Sequence, residues 1–239
     1  MRSHYYNNSM DIYAYICTRS IEEMTSTTDK LISYLAECEI KSFLLPKASS
    51  IFTAYHHAYI KTSPKPDDIV IMCHDDIVIR ERPEQFKEKL ISLLSEKGVG
   101  FVGPAGTAFL GEDAVWWNPH YWAAKKHHGR VYHLDPKGKE YETLYGPPGE
   151  VVVLDGLFLA TTGKVIEDVG LLKPSYFSGE WDFYDLHYTS TAHNKGYKNK
   201  ILDINILHNS RGELVGRDSW HHNRESFIKN TKLPLEIKK

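Results

Sequence analysis

Apolar residues along this chain alternate between short unbroken runs and helix-spaced stripes. Residues 11–17, Asp-Ile-Tyr-Ala-Tyr-Ile-Cys, form a β-rich apolar run of the kind a strand buried on both faces requires. A polar stretch follows, then a predicted helix near 27–38 and a short second strand over 41–45. Over 49–61, Ile51, Ala54, Tyr55, Ala58 and Tyr59 recur at helical spacing, with serines at the start to cap and Pro64 and Pro66 beyond the end. Residues 68–73 read as a third strand that runs into His74-Asp75-Asp76. Over 83–96 a helix is predicted, with proline at its start and Phe86, Leu90, Leu93 and Leu94 on one face. Residues 99–102, after Gly98, make a fourth strand. Strands alternating with helices in this way predict βαβ units and a mainly parallel sheet.

Residues 103–149 change character, being rich in Gly, Pro, Trp, Tyr and His without a sustained period, which predicts a loop-and-hairpin insertion. Regular structure is expected again as strands over 151–154 and 157–161, a short helix over 164–169, and a helix over 182–194 closed by Gly196. A last strand is expected over 201–207, and the tail from His208 reads as polar and irregular. No internal repeat or low-complexity tract is present in the sequence. One α/β domain with an elaborated second half is the simplest account.

Composition narrows the function. The 239 residues carry 29 basic and 31 acidic side chains, a net charge of −2 that leaves 13 histidines uncounted. An apolar fraction of 41% with 25% charged residues is that of a soluble globular chain. The near-neutral total argues against nucleic-acid binding through a general basic field, while leaving room for a local phosphate site. Cys17, Cys38 and Cys73 lack metal-type spacing, so reduced buried thiols are expected, as in a cytoplasmic protein. Residues 1–10 lack an apolar signal core. The most hydrophobic stretch, 150–161, is interrupted by Asp155 and is too short to span a bilayer. A soluble protein without a transmembrane segment is the expectation, peripheral to a membrane if its acceptor is lipid-linked.

Four features bear chemistry. In His74-Asp75-Asp76, two carboxylates follow an apolar strand at the carboxyl edge of the sheet, where open α/β folds bind ligands. Hard oxygen ligands there suit Mg2+ or Mn2+, and the histidine leans toward Mn2+; the same triplet also fits a plain turn into the next loop. Asp155 stands inside an apolar run, so it must face a cleft or a partner, or else form a local Asp-Gly bulge. Asp182 and Asp185 share a helix face, although Asp182 also fits a cap and both suit the helix dipole. His208 ends the last apolar run, where a histidine can complete a metal site begun by distant carboxylates or simply pack. The remaining histidines, including the pairs 56–57, 127–128 and 221–222, are expected at the surface. Zinc-protease, P-loop, Gly-rich dinucleotide and nucleophile-elbow spacings are all missing from the sequence.

The order of these pieces resembles the nucleotide-sugar glycosyltransferases of the GT-A fold, on the family 2 side, in a bacterial and viral subgroup with a His-Asp-Asp version of the Asp-X-Asp motif. The matching pieces begin with Tyr13-Ala-Tyr-Ile-Cys-Thr18-Arg19, Ser50-Ile-Phe-Thr-Ala-Tyr55-His56 and Ile71-Met-Cys-His-Asp-Asp76. Gly103-Pro-Ala-Gly106 with Trp116-Trp117, and Asp155-Gly-Leu-Phe-Leu-Ala160, come next. Phe183-Tyr-Asp185-Leu-His187 with Gly196-Tyr197, and His208-Asn-Ser-Arg-Gly212, complete the set, so the resemblance runs from Asp11 to Gly212.

The resemblance implies a single Rossmann-like GT-A domain. Residues of about 11–102 would form a nucleotide-binding half and about 103–212 an acceptor half, with 213–239 as a tail. It implies transfer of a sugar from a nucleoside-diphosphate sugar, UDP-linked in preference to GDP-linked, to a glycan or lipid-linked hydroxyl, with Mn2+ or Mg2+ as cofactor. Thr18 and Arg19 would border base and ribose, Asp75 the ribose or metal shell, and Asp76, His208 and His74 the metal. Asp155 would bind a sugar hydroxyl. Asp185 would be the general base of an inverting displacement, with Tyr184 in place of the usual acidic neighbour and His187 in place of a later Asp. Trp116, Trp117 and Trp181 would offer flat faces to sugar rings, or serve the core. Lys47, Arg211 and Arg217 are candidates for diphosphate contact. A nucleotidyltransferase is the first alternative, but Thr18-Arg19-Ser20 and two glutamates stand where its Gly-rich basic loop would be. A sugar-binding protein of the same fold without chemistry is the second.

Overall fold

The computed structural model describes residues 10–18, 25–210 and 218–237. The first half follows the predicted alternation: β1 (Ile12–Thr18), α1 (Ser26–Glu37), β2 (Lys41–Pro46), α2 (Ile51–Thr62), β3 (Ile69–His74), α3 (Pro83–Leu94) and β5 (Val99–Gly103), with a short β4 (Ile77–Ile79) after β3. Local chemistry sets the helix starts. The Thr25 side chain accepts from Thr28 N–H at α1, Ser50 accepts from Thr53 N–H at α2, and Pro83 opens α3.

β12 (Phe158–Thr162), flanked by β5 and β3, is the centre of a seven-stranded sheet of order β10-β13-β5-β12-β3-β1-β2, which includes β10 (Glu150–Val151) and β13 (Lys198–Ile201). β1, β2, β3, β5 and β13 all run one way, while β12 and β10 run against them. This is a mainly parallel sheet in an α/β fold. β1, β3 and β5 are buried along almost their whole length, so both faces of the sheet are covered there.

The insertion after β5 supplies three strands of a second, six-stranded sheet. Its path is β11-β6-β8-β14-β4, from β6 (Ala105–Thr107), β8 (His127–Leu134), β11 (Val153–Leu154) and β14 (Ile206–His208), with β9 (Glu140–Gly146) paired on β8. β8 and β9 are the hairpin expected there. The insertion also holds β7 (Phe109–Leu110) and a one-turn helix α4 (His120–Ala123). α5 (Gly163–Val169) and α6 (Tyr184–Asn194) then precede β13.

Three expectations need correction. The strand expected over 151–154 is two short strands, β10 in the first sheet and β11 in the second. The single strand expected over 201–207 is two strands, β13 in the first sheet and β14 in the second. The break falls at polar residues tied outward: Arg130 bonds the Asp203 carboxylate at 2.8 Å, Lys89 bonds its carbonyl at 2.7 Å, and Glu81 takes the Asn205 backbone N–H at 3.0 Å. That crossing carries His208 into the second sheet. The tail is also not irregular, since it folds back as α7 (Asp218–Asn230) and β15 (Leu235–Glu236), the latter paired with β7. Phe227 and Asn223 are fully buried there, too few inward residues to print a period on the sequence. Among the described residues no helix is long and apolar enough to cross a membrane.

Candidate functional site

Strand register assembles the first cluster. Parallel pairing sets Cys17 opposite His74 at the carboxyl edge of β1 and β3. β14 sets His208 opposite Ile77 on β4 and opposite His133 on β8. The Asn209 N–H donates to the Asp76 carbonyl at 2.8 Å, clasping the two segments. His74, Asp76 and His208 thereby converge, each offering one ligand atom within 4.8 Å of the others. His208 Nε2 lies 3.3 Å from Asp76 Oδ1 and 3.4 Å from His74 Nδ1, and His74 Nδ1 lies 3.8 Å from Asp76 Oδ1.

Asp76 Oδ1 is buried with no hydrogen bond of good geometry to any of the described residues. Two nitrogens and an unsatisfied carboxylate oxygen fit a divalent cation of the borderline kind. Burial would raise the Asp76 carboxyl, but the contact with His208 and the nearby His74 outweigh it and hold it low. Burial likewise opposes charge on His208, yet Asp76 holds it above its ordinary value. His74 is pushed down by burial and by the neighbouring His208.

The second cluster rests on the Asp155-Gly156-Leu157 turn and the first turn of α6. Phe183, with φ of 67° in the left-handed region, swings the chain into the helix. Asp185 Oδ2 then accepts from the Gly156 N–H at 3.0 Å and Oδ1 from the Leu186 N–H at 2.9 Å. Asp155 Oδ1 accepts from the Leu157 N–H at 2.9 Å. Burial, reinforced by the Asp155 charge, pushes Asp185 up to about 7 despite its backbone hydrogen bonds. A carboxyl in this condition is poised to exchange a proton near neutrality.

Both clusters open on one cleft of about 950 Å3, lined by His74, His208, Asp155 and Asp185. Trp117, Trp181 and Trp220 line it as well, and Trp181 is 40% exposed. Trp116 also borders the cleft but is 2% exposed, so most of its ring belongs to the core. No lysine or arginine is among the described residues lining the cleft.

Several predicted residues lie elsewhere. Thr18 and Asp75 sit at the same sheet edge but outside the lining, with the Thr18 carbonyl accepting from the Lys47 N–H and the Asp75 carbonyl from the Thr28 hydroxyl. The Thr18 hydroxyl is buried without a hydrogen-bond partner among the described residues. His187 does not reach the cleft. Two residues on from Asp185, it points about 200° around α6, packs against Phe177 and Tyr188 at ring separations of 6.0 and 5.9 Å, and is pushed down to about 4 by burial. Asp182 is not the helix cap: α6 starts at Tyr184, and the buried Asp182 carboxylate accepts from Ser219 of α7 at 2.8 Å. Arg19, Arg211 and Arg217 lie outside the described residues.

His127 is not a surface residue. It is 1% exposed, with Nε2 2.6 Å from the Trp116 carbonyl oxygen. Sequence reasoning also missed His133, Tyr145 and Trp220, all on the cleft. A signal existed for His133, because the buried alternation of His127, Gly129 and Val131 along β8 continues to it. Trp220 had none, since α7 shows no period.

Comparison with known proteins adds the following. Residues 7–231 match the family described as "Glycosyltransferase like family". The streptomycin biosynthesis protein StrF of Streptomyces griseus is 25% identical over 185 residues, 76% of this chain and 60% of that protein, so the chain spans only about three-fifths of that relative. The crystal structure of GalNAc-T7 with UDP, GalNAc and Mn2+ superposes over 88% of this chain and 44% of the other with a TM-score of 0.50 at 8% identity. A197 from STIV covers 81% of this chain and 82% of its own at 16% identity, with a TM-score of 0.45. With the family matched over nearly its whole length and the GT-A arrangement of its sheets and helices, the chain belongs to the glycosyltransferase-like family, on the family 2 side.

Proposed function

We propose that the protein is a metal-dependent, inverting glycosyltransferase that moves a sugar from a nucleoside-diphosphate sugar, UDP-linked in preference to GDP-linked, to a hydroxyl of a glycan or lipid-linked acceptor. One observation carries this reading. A cluster fit for a cation and a carboxyl held near neutrality face the same cleft, which has no lysine or arginine among its described lining residues. An anionic diphosphate in such a cleft needs a counter-charge. GalNAc-T7, which shares the fold, holds UDP and Mn2+ in its crystal.

His74, Asp76 and His208 would hold the divalent ion. When bound, the ion supplies positive charge against the negative charge that grows on the departing diphosphate. The chain's own residues do the rest. Asp185 takes the proton of the acceptor hydroxyl as that oxygen bonds to the anomeric carbon, and the bond from that carbon to the diphosphate oxygen breaks with its electron pair leaving on the nucleotide. Attack opposite the leaving group inverts the anomeric centre. Asp155 holds a sugar hydroxyl and, by its charge, keeps Asp185 basic near neutral pH. Trp117, Trp181 and Trp220 give sugar rings apolar faces to pack on. Thr18, whose hydroxyl has no partner among the described residues, and Lys47 beside it would border the nucleotide.

The test is a screen of UDP-, GDP- and dTDP-sugars, read by nucleotide release with Mn2+ and with chelator. Release of UDP that needs Mn2+ supports the proposal. Pyrophosphate release from a nucleoside triphosphate would support a nucleotidyltransferase instead.

A further inference from the structure

Tyr184 is a buried residue whose hydroxyl sits between two polar groups. It lies 2.7 Å from the Gly156 carbonyl oxygen and 3.0 Å from His74 Nε2. A carbonyl can only accept, so the single hydroxyl proton is committed to Gly156. The phenol oxygen then has only lone pairs to offer His74, and it accepts from Nε2–H. A neutral imidazole with its proton on Nε2 has a bare Nδ1. Nδ1 is the atom that faces His208 Nε2 at 3.4 Å and Asp76 Oδ1 at 3.8 Å.

We infer that Tyr184 is a positioning residue for the cation site, holding His74 in the Nε2–H tautomer so that Nδ1 is presented, unprotonated, as the ligand atom beside Asp76 and His208. A ring nitrogen that donates to a fixed acceptor is the usual device for setting the tautomer and aim of a metal-binding histidine. Here the acceptor is a phenol oxygen made into a pure acceptor by a backbone carbonyl. This deepens, and rests on, the reading of His74, Asp76 and His208 as a cation site.

The surroundings hold the arrangement fixed. The Tyr184 ring packs edge-on to Phe52 and Tyr55 at 6.4 and 6.0 Å and to Tyr188 at 6.1 Å. A Cβ built on Gly156 would overlap the Tyr184 hydroxyl oxygen, so glycine is needed there to let the phenol reach the carbonyl. Asp185 follows Tyr184 directly and accepts from the N–H of the same Gly156. Gly156 therefore links His74 to the proposed base, its carbonyl through Tyr184 and its N–H through Asp185.

Two variants test this. Tyr184→Phe keeps the ring and removes the hydroxyl, while Gly156→Ala keeps the hydroxyl and displaces it. Long-range proton–nitrogen NMR on metal-free protein with ring-labelled histidine, assigned by the signal lost in His74→Asn, reads which nitrogen of His74 carries the proton. Mn2+ affinity is read separately by the electron paramagnetic resonance of free ion. The wild type should show Nε2–H on His74. Both variants should lose that preference and bind Mn2+ about ten- to a hundred-fold more weakly. A wild-type His74 protonated on Nδ1 overturns the inference, as do folded variants with unchanged tautomer and unchanged Mn2+ affinity. The wild-type tautomer needs neither Tyr184→Phe nor Gly156→Ala, so failure of either to melt cooperatively does not remove the test. Wild-type protein that binds no Mn2+ overturns the cation site itself, and the tautomer still decides the role of Tyr184.

Discussion

Asp185→Asn separates the electrostatics of the site from its fold. The folded protein holds this carboxyl at about 7, against an ordinary value of 3.8, mainly by burial and secondarily by Asp155. Below about pH 4 the group is protonated whether the chain is folded or not, and it has no effect on stability. Between about 4 and 7 the folded state binds more protons than the unfolded state, so stability falls as pH rises. Above about 7 the full cost is expressed. At about 1.4 kcal/mol for each pH unit, that cost reaches at most about 4 kcal/mol.

The asparagine removes the cost but leaves a counterweight. Its single carbonyl oxygen can satisfy only one of the two backbone N–H groups, Gly156 and Leu186, that the carboxylate now serves. An unmade buried hydrogen bond costs about 1–3 kcal/mol. The variant should therefore gain on wild type as pH rises from 4.5 to 8, and be the more stable by about 1–3 kcal/mol at the upper end. For a chain of this size that is roughly 2–4 °C of Tm per kcal/mol. Thermal melts in chelator between pH 4.5 and 8, taken as variant minus wild type, cancel the titration of every group that Asp185 does not influence. Turnover should fall by about two to four orders of magnitude. A stability difference that does not change with pH would refute the perturbed carboxyl, and full turnover would refute Asp185 as the base.

Three further outcomes follow from the same geometry. Asp155→Asn removes the charge that helps raise Asp185, so the acidic limb of the kcat–pH profile should move to lower pH; a limb that stays in place would uncouple the two carboxyls. Asn223→Ala should cost about 1–3 kcal/mol in thermal melts, because the fully buried Asn223 accepts from the Gly179 N–H and donates to the Gly179 and Asp182 carbonyls, whereas Asn230→Ala, which loses one exposed bond, should be near neutral. Equal effects of the two would mean that α7 is not anchored through Asn223. Trp220→Ala should raise the KM of a sugar substrate more than it lowers kcat, since the ring lines the cleft and carries no group that exchanges a proton there; a loss confined to kcat would remove it from binding.

The first hundred residues were legible because their strands are buried on both faces and their helices carry single apolar stripes, patterns that local sequence must print. Capping by Ser50 and the proline start of α3 were readable for the same reason. His74, Asp76, Asp155, Asp185 and His208 were visible as polar residues set at the ends of apolar runs or inside them. What brings them together was not, because it depends on the sheet switch between β13 and β14 and on a register that no local pattern encodes. His187 was misplaced through its nearness in sequence to Asp185, when helical rotation takes it into the packing around Phe177. α7 stayed hidden because one buried asparagine with three hydrogen bonds does work that elsewhere falls to an apolar stripe.

The central claim is that this cleft holds an anionic nucleotide through a cation bound by His74, Asp76 and His208. Calorimetric titration of UDP into wild-type protein and Asp76→Ala, each with Mn2+ and with chelator, addresses it most directly. Wild-type protein should show one UDP site that appears with Mn2+ and vanishes with chelator, and Asp76→Ala none under either condition. UDP and GDP both failing to bind wild-type protein in the presence of Mn2+, or UDP binding equally well in chelator, would contradict the claim.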